Sequence, residues 1–219
     1  MASWTRAYPP TLFQDRTEAG RKLGGELLAM KLKDAVVLAI PAGGVPVAAE
    51  VAKKLNAPLD LVIARKIQFP WTTEAGFGAV VSDGTVYLGR HADGLSPEVV
   101  QAQTEKATEQ VQHRAQQFRQ RRKELDLSGR TVILVDDGLA SGSTMLAAVQ
   151  SIRNSSPQQV IVAVPTASGS AVSLLRPHVD GLVSLYVHPN HLPFAVASSY
   201  ENWYDLSDEE VMGYLQESE

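Results

Sequence analysis

The chain has no cysteine, which excludes disulfides, thiolate catalysis and cysteine-ligated zinc. It has no apolar run long enough to span a bilayer, and its opening stretch, "MASWTRAYPP", lacks the apolar core of a signal peptide. It has no basic excess: 20 Lys and Arg stand against 24 Asp and Glu, a formal charge of -4, so no electrostatic reason exists to expect nucleic acid. It has neither internal repeats nor low-complexity tracts, and neither GxGxxG nor GxxxxGK[ST] occurs. What remains is 219 residues, 44% hydrophobic and 20% charged, a globular composition of a length that suits one domain over residues 1–219. The expected location is cytoplasmic, with no membrane partner.

Strand and helix patterns alternate along most of the chain. Residues 12–32 predict a helix, with Asp15 as cap and Ala19, Leu23, Leu27 and Met30 recurring at three or four residues. "AVVLAI" (35–40) reads as a buried strand, "PAGG" (41–44) breaks it, and Val45, Ala48, Ala49, Ala52 and Leu55 mark a helix face. "LDLVIA" (59–64) is the next strand. This rhythm predicts a doubly wound, mostly parallel α/β sheet flanked by helices.

The rhythm lapses over residues 67–89, where Asp83-Gly84 between "AVV" and "VYL" reads as a hairpin with a two-residue turn. Ser96-Pro97 then opens a long helix over about 97–125. Its apolar stripe is thin, which predicts one narrow seam of contact, across the body or against another subunit, and a homodimer is expected. Its basic end, "HRAQQFRQRRKE" (113–124), reads as a solvated face with cations at a helix C-terminus. Strands "QVIVAVP" (159–165) and "GLVSLYV" (181–187), a short helix between them, a further strand "FAVASSY" (194–200) and a last helix at 207–215 complete the pattern.

One stretch carries chemistry: "VILVDDGLASGSTM" (132–145). Val132 to Val135 form a buried strand, Asp136 and Asp137 stand at its carboxyl end, and a loop of small and hydroxylated residues leads into a helix. In open α/β sheets ligands sit beyond the carboxyl ends of the strands. Backbone amides over Leu139, Ala140, Ser141, Gly142, Ser143 and Thr144 can cradle one phosphate, helped by the helix dipole. Two carboxylates beside an anion would repel it unless they serve something else. They can accept hydrogen bonds from sugar hydroxyls, or hold a Mg²⁺ that neutralises phosphate. A sugar phosphate with free hydroxyls satisfies the whole stretch.

An apolar strand, two acids, three residues and then Ser/Thr-Gly-x-Thr resembles the signature of type I phosphoribosyltransferases, with Ser141 where Thr is usual. Residues 12–215, with "PAGGVPVAAEVA", "FPWTTEAGFGAV" and "FAVASSY" as landmarks, resemble the bacterial and archaeal "predicted phosphoribosyltransferase" group. The resemblance implies a type I fold with a small hood and a flexible loop over about 67–89. It implies 5-phosphoribosyl-1-pyrophosphate (PRPP) and a nitrogenous acceptor, a nucleobase by preference, as substrates, with Mg²⁺ held through the substrate and Asp136 and Asp137.

By the same resemblance, Ala42, Gly43, Gly44 and Val45 form a pyrophosphate loop, the glycines letting amides approach. Ala42 departs from the Arg or Lys that many relatives carry, so one cationic contact is missing. Arg65 and Lys66 face the pyrophosphate, one of them reaching it because strand neighbours point apart, with Lys66 preferred. Glu74 in the loop is a general acid or base, a partner for a cation, or a solvated side chain. Ala140 stands where hypoxanthine-type members carry Asp, which argues against their mechanism. The hood, from about 185–206 and the N-terminal segment, contributes His188 and Phe194 to the acceptor; packing in the core is the alternative for its aromatics. His188-Pro-Asn-His191 is too sparse for a metal site. A non-catalytic regulator that senses PRPP or a nucleotide is the rival reading, and a phosphohydrolase is disfavoured because no nucleophile–base pair stands at the required spacing.

Overall fold

The computed structural model describes residues 11–72, 75–119, 124–191 and 193–217. Five short strands, β1 (Ala35–Ala39), β2 (Leu59–Leu61), β6 (Thr131–Val135), β7 (Gln159–Ser168) and β8 (Gly181–His188), form one parallel sheet in the order β2-β1-β6-β7-β8. The β-branched apolar runs of β1, β6 and the first part of β7 suit the middle of a sheet buried on both faces, whereas the edge strand β8 is largely half-buried or exposed. Side chains alternate accordingly. Val37, Ala39, Ile133 and Val135 pack with α1 (Arg16–Ala29), α2 (Gly44–Leu55) and α6 (Asp208–Glu217) on one face. Val36, Leu38, Val132 and Leu134 pack with α4 (Ser143–Arg153) and α5 (Gly169–Leu175) on the other.

Helix starts follow local chemistry. Asp15 accepts from the Glu18 amide at 2.8 Å and caps α1. Ser207 and Glu210 exchange amide bonds at 2.8 and 3.2 Å in a capping box ahead of α6. At α4 the cap is Gly142, at φ +79°, with no side-chain acceptor. That φ favours glycine.

The apolar run 59–64 does not stay in one sheet. The chain leaves the parallel sheet after Leu61, and β3 (Ala64–Gln68) begins a separate antiparallel sheet with β4 (Gly76–Val81) and β5 (Val86–Leu88). Arg65 and Lys66 therefore lie within this sheet rather than at the end of the second parallel strand. The hairpin turn spans three residues, not two: Val81 N–H donates to the Thr85 carbonyl and Gly84 N–H to the Val81 carbonyl, with Gly84 at φ +91°. This is a type I turn closed by a left-handed glycine.

The long helix α3 (Pro97–Arg119) buries Ala107, Val111 and Phe118 against β3 and β4 of the same chain. Its narrow seam thus crosses the body; α4 covers the other side of the small sheet. "FAVASSY" is not a strand. Val196–Ser199 is a 3-10 turn, and Ser199 and Tyr200 are both buried among residues of other elements. The Leu12 and Phe13 amides donate to the Ser199 carbonyl, and Phe13 bridges Tyr200, so this segment joins the start of the first helix.

Candidate active site

Among the parallel strands, β1 and β6 are adjacent yet send their chains to helices on opposite faces. The crevice beyond their carboxyl ends is where open α/β sheets bind ligands. The Pro41–Val45 turn leaves β1 there, and Asp136 and Asp137 leave β6.

The two turns are pressed together. A Cβ on Gly43 would stand 2.7 Å from the Asp137 carboxyl carbon, and one on Gly44 would stand 2.8 Å from the Val135 carbonyl oxygen and 2.9 Å from Asp136 Cα. The glycines thus admit the acids, a demand separate from any approach to pyrophosphate. The Gly44 and Val45 amides donate to the Ile40 and Ala42 carbonyls at 3.1 Å each, and the Val45 side chain is in the core. These two amides are committed to the turn.

The acids are unequal. Arg16 Nε donates to Asp137 Oδ2 at 2.9 Å, both groups being buried. Arg16 Nη1 donates to the Tyr204 carbonyl at 2.8 Å, and its guanidinium lies 3.9 Å from the Trp203 ring centroid. The Tyr200 hydroxyl donates to the Asp137 backbone carbonyl at 2.6 Å. Asp136 has no such cation; Oδ1 accepts the Asp137 amide at 2.8 Å. Burial, then the neighbouring Asp137 charge, pushes the Asp136 carboxyl well above the usual carboxylate range. Burial also raises Asp137, but the Arg16 charge and hydrogen bond oppose it. Burial raises the Tyr200 phenol too.

Asp136 opens on a cleft of about 320 Å³ that also gathers Pro41, Arg65, Lys66, Thr144 and Arg114. Both Arg65 and Lys66 line it from within β3. Arg114 comes from the basic end of α3, where a solvated face was expected. Its Nη2 and Nε donate to Asp208 Oδ1 at 2.6 and 3.2 Å, its Nη1 to the Pro41 carbonyl at 3.5 Å.

Between the acids and α4 the loop is partly built into the fold. Leu139 is buried; its amide donates to the Thr166 carbonyl at 2.9 Å and its carbonyl accepts from Ser168 at 2.8 Å. That amide belongs to a bridge with β7 rather than to a phosphate cradle. Ala140 and Ser141 are exposed, and Ser143 and Thr144 half-buried, at the uncapped start of α4. Ser143 N–H reaches Ser141 Oγ at 3.4 Å.

His188 lies at the end of β8, buried, with Nε2 3.0 Å from Thr166 Oγ1. Ser199 Oγ donates to the same hydroxyl at 3.2 Å. The Phe194 ring stands 4.3 Å and the Tyr186 ring 4.6 Å from the imidazole. Burial pushes the His188 pKa down. Glu74 lies outside the described residues. Among the described residues, no three His, Asp or Glu form a group that could hold a metal alone, and no helix is long and apolar enough to cross a membrane.

Arg16 and Arg114 are the site residues that sequence reasoning missed. For Arg16 a signal existed: it stands in register with Ala19, Gly20, Leu23 and Leu27, all buried on one face of α1. A cation on an apolar stripe, and at the unfavourable end of the helix dipole, needs a buried carboxylate. Arg114 carried a weaker form of the same signal: it stands three residues after Val111 and four before Phe118, both buried, but within a run rich in charged and amide residues that reads as solvated.

Comparison with known proteins agrees with this geometry. Residues 15–185 match the model of the phosphoribosyl transferase domain. A Mycobacterium tuberculosis protein named "Putative phosphoribosyl transferase Rv0571c" is 40% identical over 210 residues, covering 93% of this chain and 46% of its own length. The chain thus spans about half the length of the curated relatives it matches. The crystal structure of TT1426 from Thermus thermophilus superposes with a TM-score of 0.78 at 35% identity, covering 94% of this chain and 98% of that one. AQ2163 from Aquifex aeolicus shares the fold at a TM-score of 0.53 and 14% identity, over 80% and 75% of the two chains. On the match over residues 15–185 and these likenesses, the chain belongs to the phosphoribosyl transferase domain family.

Proposed function

We propose that the protein transfers a phosphoribosyl group from PRPP to a nitrogenous acceptor, a nucleobase by preference, with release of pyrophosphate. The observation that carries this reading is the division of the switch-point crevice. A half-buried carboxylate that no cation pairs with among the described residues, Asp136, shares one cleft with Arg65, Lys66 and Arg114, with Thr144 and the start of α4 alongside. A purely anionic ligand would suit the cations and suffer from Asp136. A ligand that presents hydroxyls on one side and phosphates on the other suits both.

In this reading the 5-phosphate rests on residues 140–144 at the N-terminus of α4. The ribose hydroxyls donate to Asp136, and the pyrophosphate lies toward Arg65 and Lys66. The acceptor nitrogen forms a bond to ribose C1 as the C1–oxygen bond breaks, and pyrophosphate departs with the bonding pair. The transition state resembles an oxocarbenium ion, so the residues around the cleft must keep water from C1. Of the acids, Asp136 does the binding. Asp137, already paired with Arg16, sets the position of the turn.

Mg²⁺ fits the chemistry of this donor set. Asp136 is a hard oxygen ligand whose charge is disfavoured by burial and by Asp137, and a cation beside it would offset both. Bound there through the substrate, Mg²⁺ would supply charge neutralisation of the pyrophosphate. His188 ends β8 with the Phe194 ring against it, and this reading assigns the pair to the acceptor. Imidazole and ring would offer the acceptor a polar edge and an apolar face.

Calorimetry of PRPP binding in the presence of Mg²⁺ tests the reading. The wild type binds PRPP, and Asp136→Asn weakens binding about 10-fold or more, the scale of a lost charge-assisted hydrogen bond. An unchanged affinity in Asp136→Asn removes the assignment. Pyrophosphate release across a panel of nitrogenous bases then separates a transferase from a regulator that only senses PRPP.

A further inference from the structure

The turn after β1 carries no cation: residues 41–45 are Pro, Ala, Gly, Gly and Val. Two of its amides are committed to the turn itself. We propose that the missing positive charge is supplied in space by Arg114, from the last turns of α3, as a binding residue for the diphosphate of the substrate. The inference deepens the transferase reading and rests on it for the identity of the donor.

Three observations carry it. Arg114 lines the same cleft as Arg65, Lys66 and Asp136, although more than forty residues separate it from β3 in the chain. Its guanidinium touches the cation-free turn, since Nη1 reaches the Pro41 carbonyl at 3.5 Å. A bond of that length is weak and readily exchanged for a phosphate oxygen. Finally, the group is held in place before any ligand arrives. Nη2 and Nε share Asp208 Oδ1 at 2.6 and 3.2 Å, and the Phe118 ring lies 5.3 Å from the guanidinium carbon. Asp208 occupies one side of the fork, and Nη1 is left directed at the turn.

The chemistry favours a diphosphate over a single phosphate. Arg65 and Lys66 line the cleft from β3, and a diphosphate carries more negative charge than two cations neutralise. A planar guanidinium that gives parallel N–H groups to neighbouring oxygens suits such a group better than an ammonium does.

A competing explanation is that Arg114 only ties α3 to α6 through Asp208. The test therefore uses two variants of the full chain, Arg114→Gln and Asp208→Asn, which both cut that tie while only the first removes the cation. Affinities for inorganic pyrophosphate, PRPP and ribose 5-phosphate are measured by calorimetry with Mg²⁺. Arg114→Gln is expected to lose about 10-fold or more for pyrophosphate and PRPP, with ribose 5-phosphate unchanged. Asp208→Asn, which loosens the hold on Arg114 but keeps the cation, is expected to lose clearly less pyrophosphate affinity than Arg114→Gln, and adding Ala42→Lys to Arg114→Gln is expected to restore it. Equal loss for all three ligands, equal loss in the two variants, or no loss in Arg114→Gln would each overturn the proposal. A wild type that binds pyrophosphate but not PRPP overturns the donor and leaves Arg114 in place. A wild type that binds neither overturns both. PRPP binding equal in wild type and Arg114→Gln overturns Arg114 alone.

Discussion

Arg16 and Asp137, 121 positions apart in the chain, meet at 2.9 Å as a buried ion pair, and this pair decides which of two adjacent acids is left for a ligand. Asp137 spends its charge on the first helix. Asp136 keeps its own charge, at a cost, beside the cleft.

Removing the cation should therefore hurt stability far more than an ordinary surface change. Arg16→Met leaves a buried carboxylate unpaired, a loss of about 3–5 kcal/mol, read as a lower melting temperature. Adding Asp137→Asn should recover part of that loss, because the orphan charge is then gone. If Arg16→Met melts with the wild type, the pair contributes nothing and the division of labour between the acids fails.

Gly43 provides a second check, independent of charge. Its backbone is at φ -59°, so alanine there meets no backbone penalty. The obstacle is the Asp137 carboxyl, whose carbon would be 2.7 Å from the new methyl. Gly43→Ala should destabilise by about 1–3 kcal/mol, the range for overpacking, and weaken PRPP binding through displaced acids. Chemical denaturation measures the first effect and calorimetry the second. A fully stable Gly43→Ala with PRPP affinity intact would show that the turn and the acids can part freely.

Asp136 predicts a pH dependence with a definite sign. Its carboxyl holds a proton more tightly in the folded chain than in the unfolded one, because of burial and then Asp137. Between the ordinary aspartate range and the raised value, the folded state binds more protons, so this group makes stability fall as pH rises through that interval. Asp136→Asn should melt higher than the wild type near neutral pH, with the advantage shrinking as pH falls through the interval. Binding has the opposite slope. Mg²⁺ requires the ionised carboxylate, so Mg²⁺-dependent PRPP affinity should weaken on acidification at a pH above the usual carboxylate range. Melting curves and titrations across pH settle both. An Asp136→Asn chain no more stable than wild type at neutral pH would contradict the raised pKa.

Much of the fold was legible because one period governed it. Each parallel strand is a short β-branched run, and each following helix carries its apolar face at three- and four-residue spacing. The failures share a physical cause. Apart from Asp60 the run 59–64 is apolar, and hydrophobicity does not say which of two sheets a residue joins, so the crossing after Leu61 was invisible. "FAVASSY" has the composition of a strand, yet its burial follows its contacts with Phe13 and Thr166, which lie far away in sequence. The acid pair and its loop stood out because their residue types are costly anywhere but at a site. Gly43 and Gly44 were legible as a turn, but their pressure against Asp136 and Asp137 depends on strand order. Arg114 was harder to read: it stands in register with Val111 and Phe118, but only the packing of α3 on the small sheet separates a ligand-facing cation from the solvated ones around it.

The crossing after Leu61 also has a mechanical meaning. Asp136 and the start of α4 hang from the parallel sheet, whereas Arg65, Lys66 and the helix bearing Arg114 belong to the antiparallel one, and the two sheets share no ladder. Within a sheet, backbone hydrogen bonds fix spacing; between these sheets, side-chain packing does, and packed layers slide more readily than ladders break. The softest length in the cleft is thus the gap between its negative and positive walls. On the proposed reading, such a seam would let the walls adjust to a ligand with hydroxyls at one end and phosphates at the other, held in register by the Arg114 bonds to Asp208 and the Pro41 carbonyl.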